Sequence, residues 1–197
     1  MKKIVIAAVL AAPLTAAAQV ENYLIDPYHT VPYFEVDHLG FATMRGRFDR
    51  ATGKFSIDRA AKTGSVELEI PTATVNSGDT DRGARPRTRD EHLKNADFFN
   101  VQEFPSMTFK STKVVFKGEE PAALEGNLTM LGVTKPITLN LDRWKCGPDI
   151  RTQGKRYQCG GNATGSFKRS DFGMKFGLPT AIGDEVKLWM SFYGFKQ

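Results

Sequence analysis

Three histidines, two cysteines and one cluster of arginines are the side chains with the most chemistry to offer in this sequence. His29 and His38 stand nine positions apart and His92 is remote, so no His-x-His or His-Glu-x-x-His pair presents two imidazoles to one metal ion. No metal site is expected, and hydrogen bonding near chain reversals suits these rings better. Cys146 and Cys159 bracket a segment that includes Gly147, Pro148 and Gly154, a turn composition. Their spacing is not Cys-x-x-Cys, which argues against a redox pair and leaves a structural disulfide or two reduced thiols. Arg82, Arg85, Arg87 and Arg89 crowd one stretch, as either a solvated loop or a seat for an anionic headgroup. The sequence contains no nucleophile elbow, P-loop, dinucleotide fingerprint or haem-attachment motif. The neighbouring carboxylates Asp90 and Glu91 have no counterpart that the sequence places across a pocket. No catalytic residue is assigned, and a non-enzymatic protein is expected.

The elements that must hold these groups begin after a leader. Lys2 and Lys3 precede an apolar run, Ile4 to Leu14, and the small residues Ala16-Ala17-Ala18. This is the pattern of a cleaved secretory signal, and the run is too short to span a bilayer, which takes about 20 residues. Cleavage is expected after Ala18, giving a signal peptide at 1–18 and one domain at 19–197. No cysteine follows the leader to carry a lipid anchor. Export makes the disulfide feasible. Loss of the two lysines lowers the formal charge from +5 to +3, too mild to imply a nucleic-acid partner. Hydrophobic residues at 41% and charged residues at 25% exclude a multispan membrane protein and a wholly disordered chain.

The dominant period in residues 19–197 is two. Phe34, Val36 and His38 alternate with Glu35 and Asp37; Val66, Leu68 and Ile70 with Glu67 and Glu69. The same alternation runs through Met107 to Ser111, Leu124 to Met130, Ile137 to Asp142 and Val186 to Tyr193, with weaker strands at 43–49, 54–58 and 162–169. Each is the signature of a half-buried antiparallel strand. Turns are expected at Ala51-Thr52-Gly53, Lys117-Gly118-Glu119, Leu131-Gly132-Val133 and Ile182-Gly183-Asp184. The reading is an all-β chain of eight or nine strands, a meander that closes into an antiparallel barrel wide enough for one small ligand. One segment departs from it: Asp90 to Lys94, after Thr88, reads as a short helix inside a long 76–105 connection.

A binding barrel needs apolar residues in alternation along its lumen. The candidates are Phe34, Val36, Phe41, Phe48, Phe109, Leu128, Met130, Phe167, Leu188 and Met190, with His38 as the one titratable candidate. Phe98, Phe99 and Phe104, after the short helix, either cap the lumen or plug a gap in the core. At roughly 0.8 kcal/mol for each buried methylene, ten of them favour transfer into a dry lumen by about 8 kcal/mol.

Four stretches together resemble the YceI-like family of bacterial lipid-binding proteins. They are YLIDPYHTVPYFEVDHLGFATMRGRF at 23–48, RDEHLKNADFFNVQEFPSMTFKST at 89–112, GNLTMLGVTKPITLNL at 126–141, and KRSDFGMKF with IGDEVKL within 168–188. The resemblance implies an elongated lipocalin-like barrel with an apolar lumen, a periplasmic location, and a polyisoprenoid or similar amphiphile as ligand; a polyprenyl species or a quinone is the ligand expected here, and no other cofactor is expected. Pro32 departs from the family's small aliphatic residue, which puts the local pairing of the first long strand in question. The 76–88 stretch is longer and more basic than is typical.

The expected function is a periplasmic carrier whose ligand tail lies in the lumen and whose head stays near the mouth, met by Arg82, Arg85, Arg87 and Arg89 if it is anionic. Peripheral encounters with a membrane and a homodimer are compatible with this. The alternatives are a stress or scaffold protein whose own phenylalanines fill the core, and an enzyme on a lipid-like substrate, for which only His38 offers a titrating group.

Overall fold

The structure, a computed structural model, describes residues 19–197. The expected signal peptide therefore lies outside the described residues. The chain forms eleven strand segments: β1 (Glu21–Ile25), β2 (Val31–His38), β3 (Ala42–Phe48), β4 (Thr52–Asp58), β5 (Thr63–Pro71), β6 (Val75–Asn76), β7 (Ser106–Lys117), β8 (Glu120–Met130), β9 (Val133–Pro148), β10 (Tyr157–Lys168) and β11 (Ile182–Lys196). Among the described residues there is one α-helix, the five-residue α1 (Arg89–Leu93), in the connection between β6 and β7. Thr88 and Glu91 close a reciprocal capping box at its start, which is why so short a helix is held.

The ladder runs β1–β4–β5–β7–β8–β9–β10–β11, and β11 pairs back onto β1, so eight strands close a ring. The other three segments continue passes of that ring. Both β1 and β2 run antiparallel to β11 along one edge, so they are one pass interrupted at 26–30. In the same way β3 continues into β4, and β5 into β6. The result is an antiparallel barrel of eight passes in simple meander order, as the period-two pattern implies.

Two of the expected turns are not reversals. Residues 51–53 lie where β3 passes into β4 without changing direction, and Gly53 pairs with Leu68 inside the sheet. A side chain at Gly53 would collide with the Glu67 carbonyl, so the glycine permits close approach of two backbones rather than a turn. Residues 182–184 open β11, where a bulge against β2 absorbs the extra chain. Reversals do occur at Gly118 and at Leu131-Gly132, the latter with both residues at positive φ (52° and 73°), as a two-residue hairpin requires. Pro32 is accommodated because the β2–β3 ladder begins only at the next residue, Tyr33.

Cys146 and Cys159 are directly opposed on β9 and β10 and joined by a disulfide. The barrel therefore has two distinct ends. The 77–105 connection and residues 169–181 cover one; the disulfide and the short loops at 59–62 and 118–119 mark the other.

Candidate functional site

The inward side chains enclose an apolar cavity of about 120 Å³ nearer the loop-covered end. Phe34 and Val36 reach it from β2, Phe48 from β3, Phe109 from β7, Leu128 and Met130 from β8, Phe167 from β10, and Leu188 and Met190 from β11. Phe98 and Phe99 come down from the 77–105 connection and complete the wall. Phe34, Phe48 and Phe99 form one aromatic cluster, with Phe48 and Phe99 edge to face at 5.2 Å. The Phe34 ring lies over its cross-strand partner Gly46, where any side chain would displace it.

Two sequence candidates are not brought to this wall. Phe41 sits at the tip of the β2–β3 hairpin with 92% of its surface exposed, because the three-residue loop leaves it no inward face. His38, also exposed, ends β2 beside that tip. None of the four arginines lines the cavity. Arg85 donates two hydrogen bonds to Asp79 at 2.8 Å, Arg87 reaches Asp97 at 3.3 Å, Arg89 reaches Ser77 Oγ at 3.4 Å, and Arg82 reaches the Pro86 carbonyl at 3.5 Å. They fold the connection on itself. The Arg85 guanidinium and the Arg89 backbone N–H hold the Asp79 carboxyl down at about 2. His29 bonds Asp26 at 2.6 Å across the 26–30 interruption, and His92 bonds Asp97 at 2.8 Å while packing edge-on against Phe98 and Phe176.

The structure adds Arg169, whose side chain borders the cavity at its loop end and is only 2% exposed. Nε donates to the Gly183 carbonyl, Nη2 to Ile182 and Nη1 to Met174, at 2.8, 2.8 and 3.0 Å. Burial pulls this guanidinium below its ordinary value, and nearby Asp184 opposes that pull. One cation thus ties residues 169–183 into a fixed cover. Alternation cannot find it, since Arg169 stands just past the end of β10.

A second cavity of about 40 Å³ lies toward the disulfide end, walled by Phe55, Val66, Val114, Trp144 and Phe192 among others. Leu68, Phe109, Leu139 and Met190 border both cavities and form the partition between them. Trp144 Nε1 is buried and has no hydrogen-bond partner, alone in this among the described residues. A donor left so costs about 1–3 kcal/mol.

A closed antiparallel barrel of eight passes in meander order around an apolar interior belongs to the class of up-and-down β-barrels. More narrowly, residues 23–193 match the YceI-like domain, and the chain belongs to that family. Curated relatives named UPF0312 protein are 37% identical over 186 residues in Shewanella baltica, covering 92% of each chain, and 35% identical over 201 residues in Pseudomonas aeruginosa, covering both chains fully. Among solved structures, a Campylobacter jejuni YCEI protein superposes with a TM-score of 0.63 at 25% identity over 82% of this chain and 90% of that one. Burkholderia cenocepacia BcnA gives 0.64 at 19% over 86% and 98%, and a polyisoprenoid binding domain from Saccharophagus degradans gives 0.62 at 17% over 89% and 98%. The last two share the fold.

Proposed function

We propose that this barrel binds and carries an isoprenoid-type lipid, a polyprenyl or quinone-like amphiphile, in the periplasm. The observation that carries the reading is the apolar cavity itself, walled by inward faces of strands around the ring and roofed by Phe98 and Phe99. A wall of this kind has no affinity for a polar solute and favours any chain that escapes water by entering it. The polyisoprenoid-binding description of the Saccharophagus relative supports the ligand class. The disulfide supports an exported location.

The mechanism is partition rather than catalysis. His38, the one titrating group proposed for chemistry, lies away from the cavity. Exchange takes place at a membrane surface, through the loop-covered end. There Phe41, Leu39 and Phe176 are exposed, and the Leu39 N–H bonds the Ala181 carbonyl, tying the hairpin tip to the second loop. Apolar side chains on loop tips suit shallow insertion among lipid headgroups.

About 120 Å³ is comparable to an engineered protein cavity of ~150 Å³ that holds benzene. A long chain therefore enters only as the partition side chains move aside. The same small volume favours a second reading, a scaffold protein with a self-filled core. Solvent extraction of protein purified from its periplasm, followed by mass spectrometry, tests both. A stoichiometric isoprenoid or quinone supports the carrier. An empty extract, with no uptake of added polyprenyl lipid, xenon or hydrophobic dye, supports the scaffold.

A further inference from the structure

Two covers close the loop end of the barrel, and they are held in different ways. Leu93, Phe98 and Phe99 of the 77–105 connection roof the cavity from one side, and Arg169 and Met174 close it from the other. The second cover is tied to the wall. Arg169 donates to three carbonyls, Ser170 donates its N–H and hydroxyl to Asp184 at 2.9 and 2.8 Å, and Ala181 accepts the Leu39 N–H. The first is tied to itself. Among the described residues, every hydrogen bond and ion pair of residues 77–103 stays within that stretch, except that the Gly78 N–H reaches the nearby Asn76. Its two ends are anchored to the sheet. Thr72, only 1% exposed, donates its N–H to the Pro105 carbonyl and its hydroxyl to the Phe104 carbonyl, at 2.9 and 2.7 Å, and Asn76 pairs with Arg47 where β6 stops. The stretch meets the fixed cover at three rings. His92 stands 4.9 Å from both Phe98 and Phe176, and Phe98 stands 5.4 Å from Phe176. Strand order sets the two covers on opposite sides of the mouth: the passes that bound 77–105 and those that bound 169–181 have two passes between them either way around the ring.

We infer that residues 77–103 are a hinged lid, attached at 72–76 and 104–105 and latched across the mouth by Phe176, and that the guest enters through the seam at His92, Phe98 and Phe176. This rests on the lipid-carrier reading and deepens it by naming the part that moves. Lifting the lid parts Phe99 from Phe34 and Phe48 and opens the ring cluster, but breaks no hydrogen bond between lid and wall. Its internal bonds are kept, so it swings as one body on short end segments. His92 and Phe176 do not line the cavity. Loosening the latch therefore raises the energy of the closed lid equally whether the cavity is empty or filled, and uptake and release should quicken by one common factor.

The test uses the full mature chain, stripped of lipid, and a fluorescent isoprenoid alcohol as probe, with uptake and release followed by stopped flow. In Phe176→Ala both rates should rise about tenfold, equal to about 1.4 kcal/mol, which is the scale of ring contacts of this kind. His92→Cys with Phe176→Cys supplies a locking pair, because the native cysteines are joined to each other. Before linking, this variant should exchange as fast as Phe176→Ala. After closure by a short bis-maleimide, uptake and release should both fall about a hundredfold below the parent. Linked and unlinked forms are the same folded protein, so the comparison cancels any cost of the substitutions themselves. A locked protein that exchanges at the parent rate, or a Phe176→Ala protein whose release quickens while uptake does not, overturns the lid and leaves the carrier reading intact. A parent protein that takes up no probe overturns both.

Discussion

Phe109 is where stability and capacity should separate. Its ring is buried, borders both cavities and lies over Gly126, where a side chain would approach the ring tip to 2.5 Å. Replacing a buried phenylalanine by alanine costs roughly 3–5 kcal/mol, less where neighbours collapse into the gap. Gly126 has no side chain to collapse with, so Phe109→Ala should fall in the upper part of that range, about 4–5 kcal/mol. For a chain of this size that lowers Tm by roughly 8–20 °C. The same deletion joins the two cavities. A linear alkane long enough to use the joined space buries about three more methylenes, worth ~2.4 kcal/mol or near fiftyfold in affinity. Urea unfolding with and without the alkane measures both quantities on one sample, and Phe41→Ala, at an exposed site, serves as a control expected within about 0.5 kcal/mol of the parent. Affinity that falls along with stability would refute the partition, and a stability loss below about 1 kcal/mol would refute the packing argument beneath it.

Three further outcomes are expected. Removing the disulfide as Cys146→Ala with Cys159→Ala should cost about 3 kcal/mol, the chain-entropy value for so short a loop, and leave probe affinity unchanged, since neither cysteine lines either of the two lumen cavities; urea midpoints against dye binding check this. Asp79 is held at about 2 in the fold against an ordinary 3.8, so its contribution is whole above roughly pH 4 and disappears as pH falls through 2. Asp79→Asn should therefore be less stable than the parent at neutral pH, with the deficit closing below pH 4; a deficit that ignores pH would show that the carboxylate charge is not what matters. Leu39→Ser with Phe41→Ser should slow lipid transfer between vesicles while leaving equilibrium affinity for a soluble probe unaltered, as read by fluorescence transfer kinetics.

Much of the fold was legible because one physical rule dominates it. A barrel wall wet outside and dry inside imposes alternation, and Phe34 with Val36, Leu128 with Met130, and Leu188 with Met190 all point inward as their parity requires. What alternation does not carry is the direction of the chain at a glycine. Gly53 and Gly118 look alike in sequence, yet one admits a neighbouring backbone and the other turns the chain. Phe41 shares the apolar character of the lumen residues but lies within a hairpin loop, where strand parity does not apply. Arg169 and Trp144 were not singled out, for different reasons. The guanidinium is buried by carbonyls from residues 174–183, which fold back from later in the chain, and the indole packs against Phe55 and Phe192, which reach it from strands distant in sequence. The arginines of the 76–105 connection were visible, but their acidic partners Asp79 and Asp97 are set by the loop's own path.

The three interrupted passes lie side by side. The break at 26–30 adjoins the one at 49–51, and the Asp49 N–H bonds the Thr74 carbonyl at the third. Together they form a crease across one flank of the wall, while β7 to β11 run through the opposite flank with only local bulges. A continuous ladder resists a change of girth because every strand must shift with its neighbours. A creased flank bends along its fold line and keeps the ladders above and below it whole. The barrel is thus mechanically lopsided, and a guest larger than the empty cavity would be accommodated by the creased flank giving way first.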